Sequence, residues 1–122
     1  MIVVIMSSTV NFEKIFDLSK NKYSWKNDMI IIAGPTCVGK SNIAIGLAKK
    51  INGAIINADS VQVYKDLKLL SARPTIDEME GIPHFLYGYV DRNASFSVSD
   101  WLLDISSTMT EIKKMKKIPI LV

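Results

Sequence analysis

The chain has 122 residues, enough for one small domain and too few for two. Hydrophobic residues make up 48% and charged residues 22%, which excludes wholesale disorder; the net charge of +3 suits phosphate or RNA ligands without identifying one. A single cysteine excludes an internal disulfide and fits a reducing compartment, so the cytoplasm is the expected location.

Met1-Ile2-Val3-Val4-Ile5-Met6 is too short to span a bilayer and lacks the basic start of a signal peptide, so no membrane partner is expected. Residues 1–28 read as an unassigned extension, disordered or loosely docked. Within it Phe12, Ile15, Phe16 and Leu18 could form one amphipathic turn. The core domain is expected over residues 29–122. It opens with the apolar, strand-like run Met29-Ile30-Ile31-Ile32-Ala33.

Gly34-Pro35-Thr36-Cys37-Val38-Gly39-Lys40-Ser41 follows at once and completes G-x-x-x-x-G-K-[ST]. Glycines let backbone N–H groups close around phosphate oxygens, Lys40 supplies a point charge, and Ser41 offers a hydroxyl ligand to Mg²⁺. The bland alternative is a chance glycine turn. The strand before the loop and the helical spacing of Ile43, Ala44, Leu47, Ala48 and Ile51 after it argue against that. The helix spans about Lys40 to Ile51, with Gly53 suited to its stop. Its N-terminus adds a positive dipole end to the loop. Cys37 has no chemistry that demands a thiol.

A second strand is expected at Ala54–Ala58, a short helical turn at Val61–Leu67, loops around Pro74 and Pro83, and a strand at Phe85–Val90. A long helix spans about Val98–Lys117, with Ser97 as N-cap and Asp100 in its first turn. Val98, Trp101, Leu102, Ile105, Met109, Ile112 and Met115 share one of its faces. Lys113, Lys114, Lys116 and Lys117 crowd its C-terminal end. They are either a solvated helix end or an RNA contact. A last strand runs from Ile118 to Val122. Alternating strands and helices imply a parallel sheet flanked by helices. Ligands of such sheets bind beyond the carboxyl ends of the strands, so the phosphate loop and Asp59 should open on one edge.

Beyond the loop the chain carries Asn57-Ala58-Asp59-Ser60-Val61-Gln62-Val63-Tyr64, then Ala72-Arg73-Pro74-Thr75, Pro83-His84 and Phe96-Ser97-Val98-Ser99-Asp100-Trp101. In this order these segments resemble the tRNA dimethylallyltransferases, whose pattern is G-P-T-x-x-G-K-[ST], N-x-D-S-x-Q-x-Y, A-[KR]-P-T, P-H and [FY]-S-x-x-[DE]-[FW]. The chain departs at Leu70-Ser71, where that family has Gly-Thr, and at Phe85, where it often has a second histidine.

The resemblance implies a P-loop NTPase-like α/β fold, and transfer of a dimethylallyl group from dimethylallyl diphosphate to N6 of an adenosine beside the anticodon of tRNA. It implies that residues 34–41 hold the diphosphate with Mg²⁺ on Ser41, and that Thr36 and Lys40 assist its departure. Asp59 would take the N6 proton. Asp59, Ser60, Val61 and Gln62 would face the flipped tRNA base. The bland roles are an N-cap for Asp59, packing for Gln62 and Tyr64, an exposed structural arginine for Arg73, and a structural His84.

Family members continue past the last strand into a Gly-Gly-Thr loop and a tRNA-gripping insertion. This chain is therefore expected to be a truncated, inactive fragment. Its final strand is expected to leave an unfinished sheet edge that favours self-association. Other phosphate-loop readings are an ATP-using small-molecule kinase and a non-catalytic phosphate- or RNA-binding fragment.

Overall fold

A computed structural model describes residues 2–5, 29–35, 38–67 and 73–122 of the chain. In chain order the elements are β1 (Ile2–Ile5), β2 (Ile30–Ala33), α1 (Lys40–Ile51), β3 (Gly53–Ile56), a 3₁₀ turn (Lys65–Leu67), β4 (His84–Phe85), α2 (Val98–Lys114) and β5 (Ile118–Leu121). The strands form one sheet in the order β1-β2-β5-β3-β4. Every pairing in it is parallel. Each crossover therefore returns to the same edge, and all carboxyl ends lie together.

Successive strand residues face opposite sides. Ile30, Ile32, Ile55 and Ile120 pack with Ile43, Ala44, Leu47 and Ala48 of α1 on one side. Ala54 and Ile56 pack with Ile105 and Ile112 of α2 in the second cluster. Both sheet faces are thus covered by helices, as an apolar parallel sheet requires.

Three expectations are corrected here. Residues 2–5 are not loosely docked: they pair in register with Ile30–Ala33 and complete the outer ladder of β2. The run Ile-Val-Val-Ile is β-branched throughout, which suits an edge strand. The turn suggested by Phe12, Ile15, Phe16 and Leu18 lies outside the described residues. Strand β5 is no open edge. It is central, bonded to β2 on one side and β3 on the other. Finally, α1 is stopped by Asn52, not Gly53. Asn52 is left-handed at φ 56, and its N–H donates to the Ala48 carbonyl. Gly53 instead opens β3, fully buried against Ile120 and Ala48.

Helix α2 begins where expected, with a full capping box: the Ser97 hydroxyl accepts from Asp100 N–H, and the Asp100 carboxylate accepts from Ser97 N–H. Its buried stripe is narrower than the sequence suggested. Ile105, Thr108 and Ile112 are buried, while Val98, Leu102 and Met115 are exposed. Seventeen helical residues span about 25 Å, whereas a four-residue strand spans only about 13 Å. The helix ends overhang the sheet. Beyond it, Tyr89 donates to Asp104 Oδ2 at 2.8 Å and meets Phe96 edge-to-face. These contacts tie the segment after β4 to α2.

Candidate functional site

Two segments meet at the carboxyl edge: the loop after β2 and the turn after β3. Sheet order puts only β5 between those strands. At ordinary strand spacing they are about 10 Å apart. Sequence reasoning expected both on one edge, and the parallel register puts them there.

In the loop, Gly39 caps α1 at φ 80, a conformation that side-chain-bearing residues avoid. Among the described residues no side chain caps this helix, and no acidic residue sits in its first turn. Its leading N–H groups thus keep the positive dipole end for an outside anion. Lys40 Nζ donates to the carbonyls of Gly34 at 2.7 Å and Pro35 at 2.8 Å. An ammonium has three protons, and the described residues take two of them, which leaves a third to offer a phosphate oxygen. Ser41 is exposed beside it. Thr36 and Cys37, both expected at this site, lie outside the described residues.

The chain leaves β3 at Asn57, whose side chain is 1% exposed. Asn57 Oδ1 accepts from Asp59 N–H at 2.9 Å, and Nδ2 donates to the carbonyls of Asp59 and Leu86, each at 3.0 Å. Asp59 is exposed, and its Oδ1 accepts from Val61 N–H at 2.8 Å. That contact closes an Asx-turn; the expected N-cap role is not realised, because residues 60–63 form a turn and the 3₁₀ turn starts only at Lys65. Among the described residues the other carboxylate oxygen has no hydrogen-bond partner, so the Asx-turn leaves it available. Tyr87 is close enough to feel this carboxylate. Burial first, and the Asp59 charge second, push its phenol up to about 12, so it stays protonated at neutral pH.

Of the expected strand at Phe85–Val90 only Phe85 is realised, as the last residue of β4. Leu86 and Gly88 are left-handed, at φ 63 and 55, and bend the chain. It rejoins through an isolated parallel bridge between Tyr64 and Val90. Further bonds from Gly88 N–H to Gln62 and from Tyr89 N–H to Val63 lace the Asp59 turn to this segment. Arg73 lies over Gly88, with Nη2 3.5 Å from the Lys65 carbonyl, which suits a structural role. His84 is half-buried, and its Nδ1 meets the Ile82 carbonyl at 2.7 Å. Desolvation lowers its pKa, partly opposed by that bond, as befits the structural role.

Beside the Asp59 turn lies a cavity of about 280 Å³, lined by Ala58, Ser60, Val63, Tyr64, Phe96 and Trp101 among others. Val61 is exposed and Gln62 half-buried. Sequence reasoning singled out Ser60 and placed Trp101 on the packing face of the helix; Trp101 does pack against the second cluster and lines this cavity as well. The same reasoning passed over Asn57, although an Asn two residues before an Asp after a strand is an Asx-turn signal. Among the described residues no three His, Cys, Asp or Glu cluster as a metal site. At the far end of the sheet, Lys117 donates to Asn52 Oδ1. The rest of the lysine cluster is exposed there, away from the loop and Asp59.

Comparison with known proteins bears on this arrangement. The family model described as IPP transferase matches residues 62–122. A tRNA dimethylallyltransferase of Pelagibacter ubique is 55% identical over 97 residues, covering 80% of this chain and 31% of that protein. One from Agrobacterium fabrum is 47% identical over 95 residues, covering 78% and 32%. The crystal structure of a full-length tRNA isopentenylpyrophosphate transferase from Bacillus halodurans superposes with a TM-score of 0.75 at 40% identity, over 78% of this chain and 31% of that one. A eukaryotic dimethylallyltransferase acting on tRNA gives 0.74 at 40% identity, over 77% and 23%. The chain spans about a third of the length of the curated relatives it matches.

Proposed function

The chain belongs to the IPP transferase family, and we propose that it carries the diphosphate-binding and proton-accepting half of a tRNA dimethylallyltransferase site. The observation that supports this best is the pairing of an uncapped, lysine-bearing loop with Asp59 across a single strand.

In this reading dimethylallyl diphosphate sits with its phosphates on residues 34–41. The third Lys40 proton and the leading α1 N–H groups hold the phosphate oxygens. The flipped adenine lies on the Asp59 side, with Ser60, Val61 and Gln62 around it and the aromatic cavity offering flat apolar walls. N6 attacks the allylic C1, the C1–O bond breaks, and diphosphate leaves with the electron pair. The N6 proton passes to the Asp59 carboxylate. The roughly 10 Å between the two strands leaves the reacting carbon and nitrogen between the groups that serve them.

Mg²⁺ fits this site as a single-hydroxyl case: Ser41 is exposed at the start of α1, and Mg²⁺ characteristically takes few protein ligands plus substrate phosphates. Bound there, it would neutralise charge on the diphosphate. The transfer as a whole, with tRNA and a cytoplasmic setting, belongs to this proposal. So does the reading that residues 1–122 alone do not turn over, since they span about a third of the length of the curated relatives.

Calorimetry with magnesium pyrophosphate tests the reading. Binding is expected on the order of 0.1–1 mM, from charge-assisted contacts without further walls. Lys40→Ala should remove most of it, and Asp59→Asn should leave it intact. Equal binding by Lys40→Ala would overturn the assignment of the loop.

A further inference from the structure

We propose that Asn57 is a positioning residue, whose buried amide fixes the turn presenting Asp59; its functional meaning rests on Asp59 being the proton acceptor proposed above. Asn57 is one of two buried polar residues among those described; its backbone N–H extends the β3–β4 ladder to Phe85, while its side chain makes three hydrogen bonds at the turn and the segment beside it. Two of them grip the backbone of Asp59 from both sides, through its N–H and its carbonyl. The third reaches the carbonyl of Leu86. Leu86 is held at φ 63, a conformation that L residues with a γ-branched side chain rarely adopt. Such strain persists only where the surroundings impose it. The carbonyl that the strained residue turns inward is the one Asn57 captures.

The geometry therefore runs in series. The side-chain amide sets the Asp59 backbone, and the backbone sets the carboxylate. The carboxylate reports its own placement by accepting from Val61 N–H at 2.8 Å. A merely structural buried asparagine would stabilise the sheet as a whole. A positioning asparagine acts on the turn and leaves the core and the phosphate loop as they are.

Site-resolved amide hydrogen exchange and the Asp59 χ1 couplings, measured by NMR on the 122-residue chain, separate the two. In Asn57→Ala the Asp59 and Val61 amides should exchange roughly fivefold faster or more, the effect of losing a typical hydrogen bond. Asp59 should average over rotamers. The amides of Ile55, Ile56 and Ile120 should keep their protection, and pyrophosphate affinity should not change. Asn57→Ser should restore part of the Asp59 protection, because a serine hydroxyl can accept from the N–H two residues on. Unchanged exchange at Asp59 and Val61 in Asn57→Ala would overturn the proposal. So would loss of core protection in step with the turn, or unfolding of both variants, since either outcome makes Asn57 a stability residue alone. Loss of pyrophosphate binding by Lys40→Ala, or its failure, bears on the loop and leaves this comparison untouched.

Discussion

Gly53 sets how closely α1, the helix of the phosphate loop, approaches β3, the strand of Asp59. A Cβ at this position would lie 2.7 Å from Ile120 Cδ1, 3.1 Å from Ala48 Cα and 3.3 Å from Ala48 Cβ. Ile120 and Ala48 are 0% and 1% exposed; the Ile120 Cδ1 end can swing aside only within a filled core, and the Ala48 backbone moves only with α1. Overpacking of a filled core costs about 1–3 kcal/mol. Replacing glycine returns about 0.4–1 kcal/mol through the unfolded chain. Gly53→Ala is therefore expected to lose about 1–2 kcal/mol.

Ile120→Val deletes the atom at 2.7 Å and alone costs about 0.5–1.5 kcal/mol. In the double variant the closest clash is gone and only the helix-backbone contact remains. The two changes should then fall short of additivity by about 1 kcal/mol, as contacting residues do. Urea unfolding of the four proteins at one concentration reads this from the midpoints. A Gly53→Ala protein as stable as the parent would refute the close-approach argument. Strict additivity would move the clash from Ile120 to the Ala48 backbone.

Ser97→Ala removes the capping box of α2 and should cost about 1 kcal/mol in the same assay. Asn52→Ala loses a residue tolerant of φ 56 together with the bonds to Lys116 and Lys117, and should cost about 1–2 kcal/mol; Asn52→Gly should cost less. His84 has a folded pKa below its ordinary 6.5, so the unfolded chain binds its proton more readily. Its contribution should be fully present above pH 6.5 and lost as pH falls through the lower folded value. Unfolding midpoints measured against pH should show that slope in the parent and a shallower one in His84→Gln.

The phosphate loop, β2 and α1 were legible because their signals are local: a fixed spacing of glycines and lysine between an apolar run and a helical period. Residues 2–5 were not legible as a strand. Four apolar residues far from the core carry no periodicity, and only the free ladder of β2 gives them a place. The strand after Phe85 was overextended because Leu86 turns left-handed without the glycine that would have signalled it. The inward stripe of α2 was drawn too wide because sequence spacing says nothing about how far the helix outruns four-residue strands. In the candidate site, Lys40 and Ser41 were singled out by the loop motif, and Asp59 by its place after the second strand and by the resemblance. Asn57 was overlooked because its work is done through backbone groups that appear only in the fold.

The central claim is that one edge of the sheet holds diphosphate on residues 34–41 while presenting Asp59 to the reacting base. Amide shift mapping with the non-reactive thiolo analogue of dimethylallyl diphosphate, in magnesium buffer, tests it most directly. The account predicts saturable shifts in the Val38–Ile43 amides, with a second set at Asp59–Gln62 across β5, and loss of both in Lys40→Ala. Shifts confined to the lysine-rich end of α2, or shifts in the loop that survive Lys40→Ala, would contradict it.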